Sequence, residues 1–230
     1  MVVVMVVACR HAAADLPSSF TLTVEKGKFY AGATGLPVFR GFHDGVNMSA
    51  VVTFSPSTGE YLFSTNDAQY QANKLFGAVR CGDLASQFQS SDRFAWRRNV
   101  RCFEPINYTN NTLRDPPVPI PGCKDAHKVQ LITYSYVDGN SPVSQKYPNQ
   151  IRPFDTLVTP GVPIGIALQY SATSTDYSIF DPQSGALLES ASVPHLSCRD
   201  FQKGSNLVLY FGGTVPAPAD MTVEYRNVRT

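Results

Sequence analysis

The strongest constraint on the fold is a repeated alternation of apolar and polar residues in short segments that end at turn-forming residues. In residues 20–24, Phe20, Leu22 and Val24 alternate with threonines, so they share one face of a predicted strand. Residues 129–137 alternate around Gln130 and end at Asp138-Gly139-Asn140. A period of two is typical of a strand with one buried face and not of an amphipathic helix.

Further strands are predicted along the rest of the chain. A hairpin is expected where residues 50–54 and 60–63 flank Ser55-Pro56-Ser57-Thr58-Gly59. The other predicted strands cover residues 94–96 and onwards towards Cys102, 164–170, 176–180, 206–211 and 221–228. The best helical window covers residues 68–79 and has no strong capping signal. About ten strands at hairpin spacing predict an all-β protein, a single-domain antiparallel β-sandwich or half-open β-barrel with little helix.

Length and charge exclude several classes of protein. The chain has 230 residues, enough for one large β domain, with 19 basic and 18 acidic side chains. A balance this close to neutral lacks the basic stripe that neutralising many phosphates requires, so we expect no nucleic-acid partner. Because no apolar run reaches about 18 residues, we expect no transmembrane segment.

The first 14 residues have the character of a signal peptide. Residues 2–8 are apolar and Ala12-Ala13-Ala14 follows, which suits cleavage before a domain at 15–230. No Lys or Arg precedes the apolar run, as if the segment were incomplete. Two alternatives stay open: a buried first strand, and a bacterial lipoprotein signal with Cys9 lipidated.

Cleavage would leave four cysteines in a secreted chain. They are Cys81, Cys102, Cys123 and Cys198, and an even count predicts two disulfides with three pairings open. Their spacing and the scattered histidines do not suit zinc, so no metal site is expected.

Three glycosylation sequons begin at Asn47, Asn107 and Asn110. The last two lie in residues 106–121, which also contain Pro116, Pro117, Pro119 and Pro121. This composition predicts a long exposed loop, where glycans are accommodated most easily.

Motifs for catalysis are absent from the sequence. It contains no Gly-x-Ser-x-Gly elbow and no phosphate-binding glycine loop, and His43-Asp44 is more simply part of a turn than an acid–base pair. The Arg97-Arg98 pair beside Trp96 could bind an anion, but we interpret it as the solvated face of a strand. We therefore expect a protein that is not an enzyme and has no catalytic residues.

The order of these features resembles the ependymin-related family over roughly residues 20–200. The predicted hairpin is similar to the family's early pair of aromatic strands. Cys81 and Cys102 enclose Phe94-Ala95-Trp96, and prolines 117–121 follow, as in the family. Residues 193–198, Val-Pro-His-Leu-Ser-Cys, resemble its late proline-then-cysteine segment. The family's early Cys-x-x-Pro element is missing, since the cleaved chain would begin Asp15-Leu16-Pro17, so no disulfide pairing is carried over.

The resemblance implies a secreted extracellular glycoprotein with an apolar pocket for a hydrophobic ligand. It also implies association with extracellular matrix, and calcium is suggested by the resemblance alone. The alternatives are a structural matrix component, including shell or skeletal matrix, and a bacterial lipoprotein of the lipid-carrier type. The expected partners are matrix components or a small hydrophobic ligand, and a homodimer is also considered.

Overall fold

The computed structural model describes most of the chain in eight segments. These are residues 18–29, 31, 47–79, 90–104, 115–137, 149–195, 205–207 and 215–229. The proposed signal segment and the dipeptide His43-Asp44 lie outside them. Within the described ranges, no helix is long and apolar enough to cross a membrane.

Two antiparallel sheets form a β-sandwich, which confirms the predicted all-β fold with little helix. In the part of the chain that the structure describes, one sheet has six strands in the order β1-β11-β2-β7-β8-β9. Its strands are β1 (Ser19–Val24), β2 (Asn47–Phe54), β7 (Ile164–Tyr170), β8 (Ser174–Phe180), β9 (Leu187–Pro194) and β11 (Met221–Arg229).

The second sheet has five described strands, in the order β10-β3-β4-β5-β6. They are β3 (Asn73–Val79), β4 (Ser91–Arg98), β5 (Val129–Tyr136), β6 (Ile151–Val158) and β10 (Ser205–Leu207). The helical elements in the described ranges are short: α1 (Ser57–Glu60), α2 (Asn66–Tyr70) and the 3₁₀ turn Val100–Cys102.

The core lies between the facing sides of the two sheets. In β2, Met48, Ala50, Val52 and Phe54 point inward at alternate positions and are fully buried or nearly so, as the pleat requires. Aromatic side chains cross the interface, with Phe54 and Trp96 ring centres 5.5 Å apart. Burial of this continuous apolar interior is the main stabilising contribution to the fold.

One side of the sandwich is joined by polar contacts between β6 and β9. The carboxylate of Glu189 accepts hydrogen bonds from the backbone N–H groups of Asp155 and Thr156, at 2.8 and 2.9 Å. Arg152 also contacts Glu189, at 3.3 Å. The two strands belong to different sheets, so these bonds hold one sheet against the other.

Several predicted elements are correct and two are wrong. The strands predicted at 164–170, 176–180 and 221–228 lie within strands of the structure. The one at 129–137 matches β5 up to Tyr136, and the one from 94 towards Cys102 ends at Arg98. The helix expected at 68–79 is instead α2 followed by β3, and the hairpin expected at 50–63 is β2 followed by α1. Residues 208–211 lie outside the described residues.

The second strand of the predicted hairpin does not form, because Ser57–Glu60 is a helical turn. Thr58 Oγ1 donates to the carbonyl of Ser55, which closes a helical turn where an extended connection was expected. Tyr61 and Phe63 are buried in the core without belonging to a strand. The alternation of residues 60–63 therefore reflects burial of Tyr61 and Phe63 and not pairing of a strand.

Candidate functional site

The outer face of the five-stranded sheet brings three basic side chains together. In the register of β4 and β5, Arg93 lies opposite Tyr134 and Arg97 lies opposite Gln130. Lys74 of β3 lies opposite Ala95, midway between the two arginines along β4. We call Lys74, Arg93 and Arg97, with Gln130 and Tyr134, the basic face.

A local irregularity in β3 places Lys74 on this face. The register between β3 and β4 shifts between Lys74 and Phe76, and both Leu75 and Phe76 are buried in the interior cluster. Strict alternation would put Lys74 and Phe76 on the same side. The bulge lets the lysine point outward while the phenylalanine points into the core.

Arg97 is fixed by contacts on two sides. Its Nε and Nη2 both donate to Gln130 Oε1 at 3.2 Å, and its Nη1 donates to the carbonyl of Tyr70 at 3.1 Å. Tyr70 is the last residue of α2, so the helix end and β5 together orient the guanidinium. Burial lowers the pKa of Arg97.

Lys74 is nearly buried, with 9% of its surface exposed. Its Nζ donates to the carbonyl of Ala72 at 2.8 Å and lies 4.4 Å from the ring centre of Tyr134. Burial, and then the positive charge of Arg93, lower the pKa of Lys74 to about 7. Its charge therefore changes near neutral pH, far below the ordinary lysine range.

Arg93 completes the row of cations. Its Nη2 donates to Ser91 Oγ at 3.3 Å, and burial lowers its pKa, with Tyr136 and Tyr134 offsetting part of the effect. A guanidinium keeps its charge in a protein. Arg93 and Arg97 therefore supply permanent positive charge on either side of Lys74.

The strands that form this face contribute one carboxyl group, and it points the other way. Asp92 is the sole acidic residue in β3, β4 and β5, and it hydrogen-bonds to Thr175 of the opposite sheet. Among the described side chains, the charged groups on this face are three cations, and an amide and phenol rings lie alongside. Arg97 is half-buried and the other four residues of the face are buried. Guanidinium donors bind carboxylate or sulfate groups in two-pronged geometry.

A cluster of buried polar side chains lies between the two sheets. Thr175 Oγ1 donates to Asp92 Oδ2 at 2.8 Å and lies 3.3 Å from His195 Nε2, and all three residues are buried. Tyr177 and Ser135 share a hydrogen bond of 2.7 Å across the same interior. These contacts link the two sheets where apolar packing is interrupted.

The predicted disulfide residues are partly accounted for. Cys102 and Cys123 form a disulfide, with Cα atoms 5.6 Å apart. Cys81 and Cys198 lie outside the described residues, so their pairing stays a prediction. The bonded pair was one of several open alternatives, because spacing alone does not select a pairing.

Of the three predicted glycosylation residues, Asn47 lies in the described part of the chain. Asn47 is the exposed first residue of β2, and its modification stays a prediction. Asn107 and Asn110 lie outside the described residues. In the described part of the proline-rich stretch, Pro119 forms an isolated bridge to Phe103.

The interpretation of Arg97-Arg98 as a solvated strand face is wrong. Arg97 is half-buried on the basic face, and Arg98 points to the opposite side with only 5% of its surface exposed. The guanidinium of Arg98 donates to the carbonyls of Ala126 and Tyr61. Adjacent strand residues point to opposite faces, so the pair never acts as one surface unit.

The expected apolar pocket stays a prediction. In the described interior, Phe94 contacts Phe154 and Tyr177 at ring-centre distances of 5.8 and 5.2 Å. Tyr61 contacts Trp96 at 5.9 Å. These rings fill part of the space between the two sheets.

Sequence reasoning missed Lys74, Arg93, Gln130 and Tyr134 as members of one site. The available signal was in β4, where Arg93 and Arg97 alternate with the buried Phe94 and Trp96. A charged residue at alternate positions of a buried strand indicates a polar surface on its second face. Lys74 gave no such signal, because its position depends on the bulge.

Comparisons with known proteins show the fold and no family. No family model matches the chain, and no curated protein matches it significantly. A structure of alginate lyase Aly36B is similar over 92% of this chain and 80% of that chain, with a TM-score of 0.50 and 16% identity. A Scytalido-glutamic peptidase bound to a peptide-based transition-state analog gives a TM-score of 0.35 at 10% identity, covering 82% of this chain and 61% of that chain. An alginate lyase from Klebsiella pneumoniae gives 0.40 at 8% identity, covering 81% and 59%.

Proposed function

We propose that the protein is an extracellular binding protein that holds an acidic saccharide on its basic face. The carrying observation is that Lys74, Arg93 and Arg97 lie in successive rows on one side of a single sheet. Arg97 is the half-buried member of the row, while Lys74 and Arg93 lie deeper, with 9% and 7% of their surface exposed. A carboxylate of the saccharide would therefore contact Arg97 first. Binding without chemical change is sufficient for this role.

The neighbouring residues suit a sugar better than a simple ion. The Tyr134 and Tyr136 rings lie 5.8 Å apart on the same face, and Tyr136 is the more exposed of the two. Aromatic faces pack against the apolar sides of sugar rings, while phenols hydrogen-bond with hydroxyl groups. The combination favours a ligand with both acid groups and hydroxyl-bearing rings.

An extracellular location is supported by the Cys102–Cys123 disulfide. Disulfides persist in oxidising environments and are rare in the cytosol. The sequons and the apolar start of the chain agree with secretion. A structural role in the extracellular matrix is an alternative that would use the same basic face.

Binding of alginate oligosaccharides to the disulfide-intact protein tests the proposal. Titration calorimetry at low salt should show saturable binding that weakens as salt is added, because screening reduces the attraction. Arg97→Gln should weaken binding by about tenfold, the loss of one charge-assisted contact. The matched control is Arg226→Gln, a 60% exposed side chain on the other sheet, which should leave affinity unchanged.

Two results would contradict the proposal. One is absence of saturable binding by the wild-type protein. The other is equal loss of affinity in the Arg97→Gln and Arg226→Gln variants, which would indicate a general charge effect. Melting curves of both variants establish that each is folded.

A second candidate function is β-elimination on an acidic saccharide. It is supported by the lowered pKa of Lys74, about 7, which leaves much of the amine neutral at neutral pH. The amine would take the proton from the carbon next to the uronate carboxylate. The bond from the adjacent carbon to the glycosidic oxygen would then break, the leaving oxygen would take a proton from Tyr134 or water, and a carbon–carbon double bond would form.

Ultraviolet absorption of the unsaturated product distinguishes binding from elimination. If elimination occurs, Lys74→Met should abolish product formation while the Arg226→Gln control remains active. If the wild-type protein binds the oligosaccharide without an increase in absorption, the binding role stands and elimination is rejected.

A further inference from the structure

The outer face of the six-stranded sheet carries a flat aromatic ring at the end of β8. Phe180 lies opposite Gly165 of β7 on one side and opposite Leu187 of β9 on the other. A Cβ atom on Gly165 would collide with Cδ2, Cε2 and Cζ of the Phe180 ring, at nearly equal distances from the three atoms. Such distances mean that the ring lies with one face over the glycine, since an edge would bring one atom much closer than its neighbours. The other face of the ring is turned away from the sheet.

The row that contains this ring is apolar. Val51 of β2 lies opposite Gly165, so Val51, Phe180 and Leu187 follow one another across four strands. At about 4.8 Å between strands, the row is about 14 Å long. Val51 and Phe180 are half-buried, and Leu187 is 62% exposed. We call these three side chains the apolar strip.

The two rows next to the apolar strip consist of small or polar side chains. One row is Ser49, Ala167, Ser178 and Ser190, and the other is Asn47, Gln169, Asp176 and Ser192. All of them are half-buried or exposed. Within the described ranges, the side chains of Gln169, Asp176 and Ser178 make no hydrogen bond to the rest of the protein. Their donors and acceptors are open to a ligand.

The charge on this face differs from that of the basic face. At the outward positions of β2, β7, β8 and β9, Asp176 is the sole ionisable side chain among the described residues. Glu189 of β9 is turned to the edge, where it binds β6. A face without cations does not attract an acidic ligand, whereas hydroxyl, amide and carboxyl groups suit a ligand that is rich in hydroxyl groups.

The size of the apolar strip also favours a small ligand over a protein. A stable protein interface covers roughly 800 Å² on each partner. Three apolar side chains provide much less than this, and the rows beside them are hydrophilic. One sugar ring, in contrast, is matched in size by one aromatic ring.

We propose that Phe180 is the platform of a second saccharide site, which binds an uncharged saccharide chain on the outer face of the six-stranded sheet. The apolar side of one sugar stacks on the open face of the ring. Ser178 and Asp176 follow along β8 at intervals of about 7 Å, so the next sugars of the chain hydrogen-bond to them and to Gln169. The site is independent of the proposed function, because it lies on the opposite sheet from the basic face.

Calorimetric titration with cellopentaose and with mannopentaose tests the proposal on the disulfide-intact protein. The wild-type protein should bind at least one of these uncharged saccharides saturably. Phe180→Ala should weaken binding by about tenfold or more, while Phe180→Tyr keeps a ring face and should bind as the wild type does. Gly165→Ala should also weaken binding, because the added Cβ displaces the ring. The matched control is Val118→Ala, an apolar side chain that is 49% exposed in the proline-rich stretch, and it should leave affinity unchanged.

Absence of saturable binding of both saccharides by the wild-type protein would overturn the proposal. Equal losses in Phe180→Ala and Val118→Ala would also overturn it, and so would a loss caused by Arg97→Gln, which would place the saccharide on the basic face. A wild-type dimer that Phe180→Ala dissociates in light scattering, without saccharide binding, would show that the strip is an interface between copies instead.

Two further measurements keep the test decisive. Phe180→Ala should leave alginate binding unchanged, so failure of this site and failure of the proposed function are distinguishable. Melting curves establish that each variant is folded. If Gly165→Ala does not fold, the comparison of Phe180→Ala with Phe180→Tyr decides.

Discussion

The hydroxyl group of Thr175 donates a hydrogen bond of 2.8 Å to the carboxyl group of Asp92, across the interior between the two sheets. Thr175 belongs to β8 and Asp92 to β4. A hydroxyl has one hydrogen, so His195 Nε2, at 3.3 Å, donates to the same oxygen. The interior therefore contains a directed chain of polar contacts from the end of β9 to the centre of the second sheet.

Thr175→Val should destabilise the protein although it preserves shape. The variant removes one donor from the buried carboxyl group of Asp92, and losing such a partner costs about 2 kcal/mol or more. Thr175→Ser keeps the hydroxyl and should cost less. Denaturant unfolding of both variants measures the difference, and equal losses would show that packing and not the hydrogen bond matters.

Lys74 should make the stability of the protein rise with pH. Its pKa is about 7 in the folded protein against 10.5 as the ordinary value, so the unfolded chain binds more protons between these values. The penalty for burying the ammonium is complete below about pH 7 and disappears as the pH rises towards 10.5. The free energy of unfolding of Lys74→Met should lack this rise. Parallel pH profiles for the two proteins would contradict the prediction.

Tyr61→Phe should cost about 1–3 kcal/mol, because the phenol oxygen accepts a hydrogen bond of 2.9 Å from the buried backbone N–H of Arg98. Burial also raises the pKa of Tyr61 to about 12. The wild-type protein should therefore lose stability as the pH rises from about 10 to 12, where the unfolded tyrosine ionises first. The variant should lose less over that interval. Thermal unfolding at neutral and alkaline pH tests both effects.

Replacing Cys102 and Cys123 together by serine should destabilise the protein by about 3 kcal/mol. The disulfide closes a loop of 21 residues, and cross-linking a loop of this size restricts the unfolded chain by about that amount. Backbone bonds such as Ile120 N–H to the Cys102 carbonyl, at 2.8 Å, should then be insufficient to hold the loop. An unchanged unfolding free energy in the double variant would argue that the loop is structured without the cross-link.

Sequence predicts the fold class well where one strand face is covered and the other is open. The pattern of β2 and β8, with buried residues at alternate positions, is the signal that alternation detects. β3 lacks it, because all seven of its residues are buried, so its apolar run was taken for part of a helix. β6 was overlooked because Pro153 interrupts it, although an edge strand tolerates proline.

The basic face was only partly accessible from sequence. Arg97 stood out through its neighbour Arg98 and was considered for anion binding, yet the two point to opposite sides of β4. Lys74 and Arg93 are 19 positions apart and meet only through the register of β3 and β4. Long-range register and a single bulge determine this site, and neither is a local property of the chain.

The contacts of Glu189 also affect how copies of the protein meet. β6 is the outer strand of its sheet, and such a strand can template pairing with a second molecule. Here Pro153 has no N–H to offer, and the N–H groups of Asp155 and Thr156 are already bound to Glu189. An incoming strand would find few donors along this stretch, which protects the protein from edge-to-edge aggregation. Self-association would therefore use a different surface.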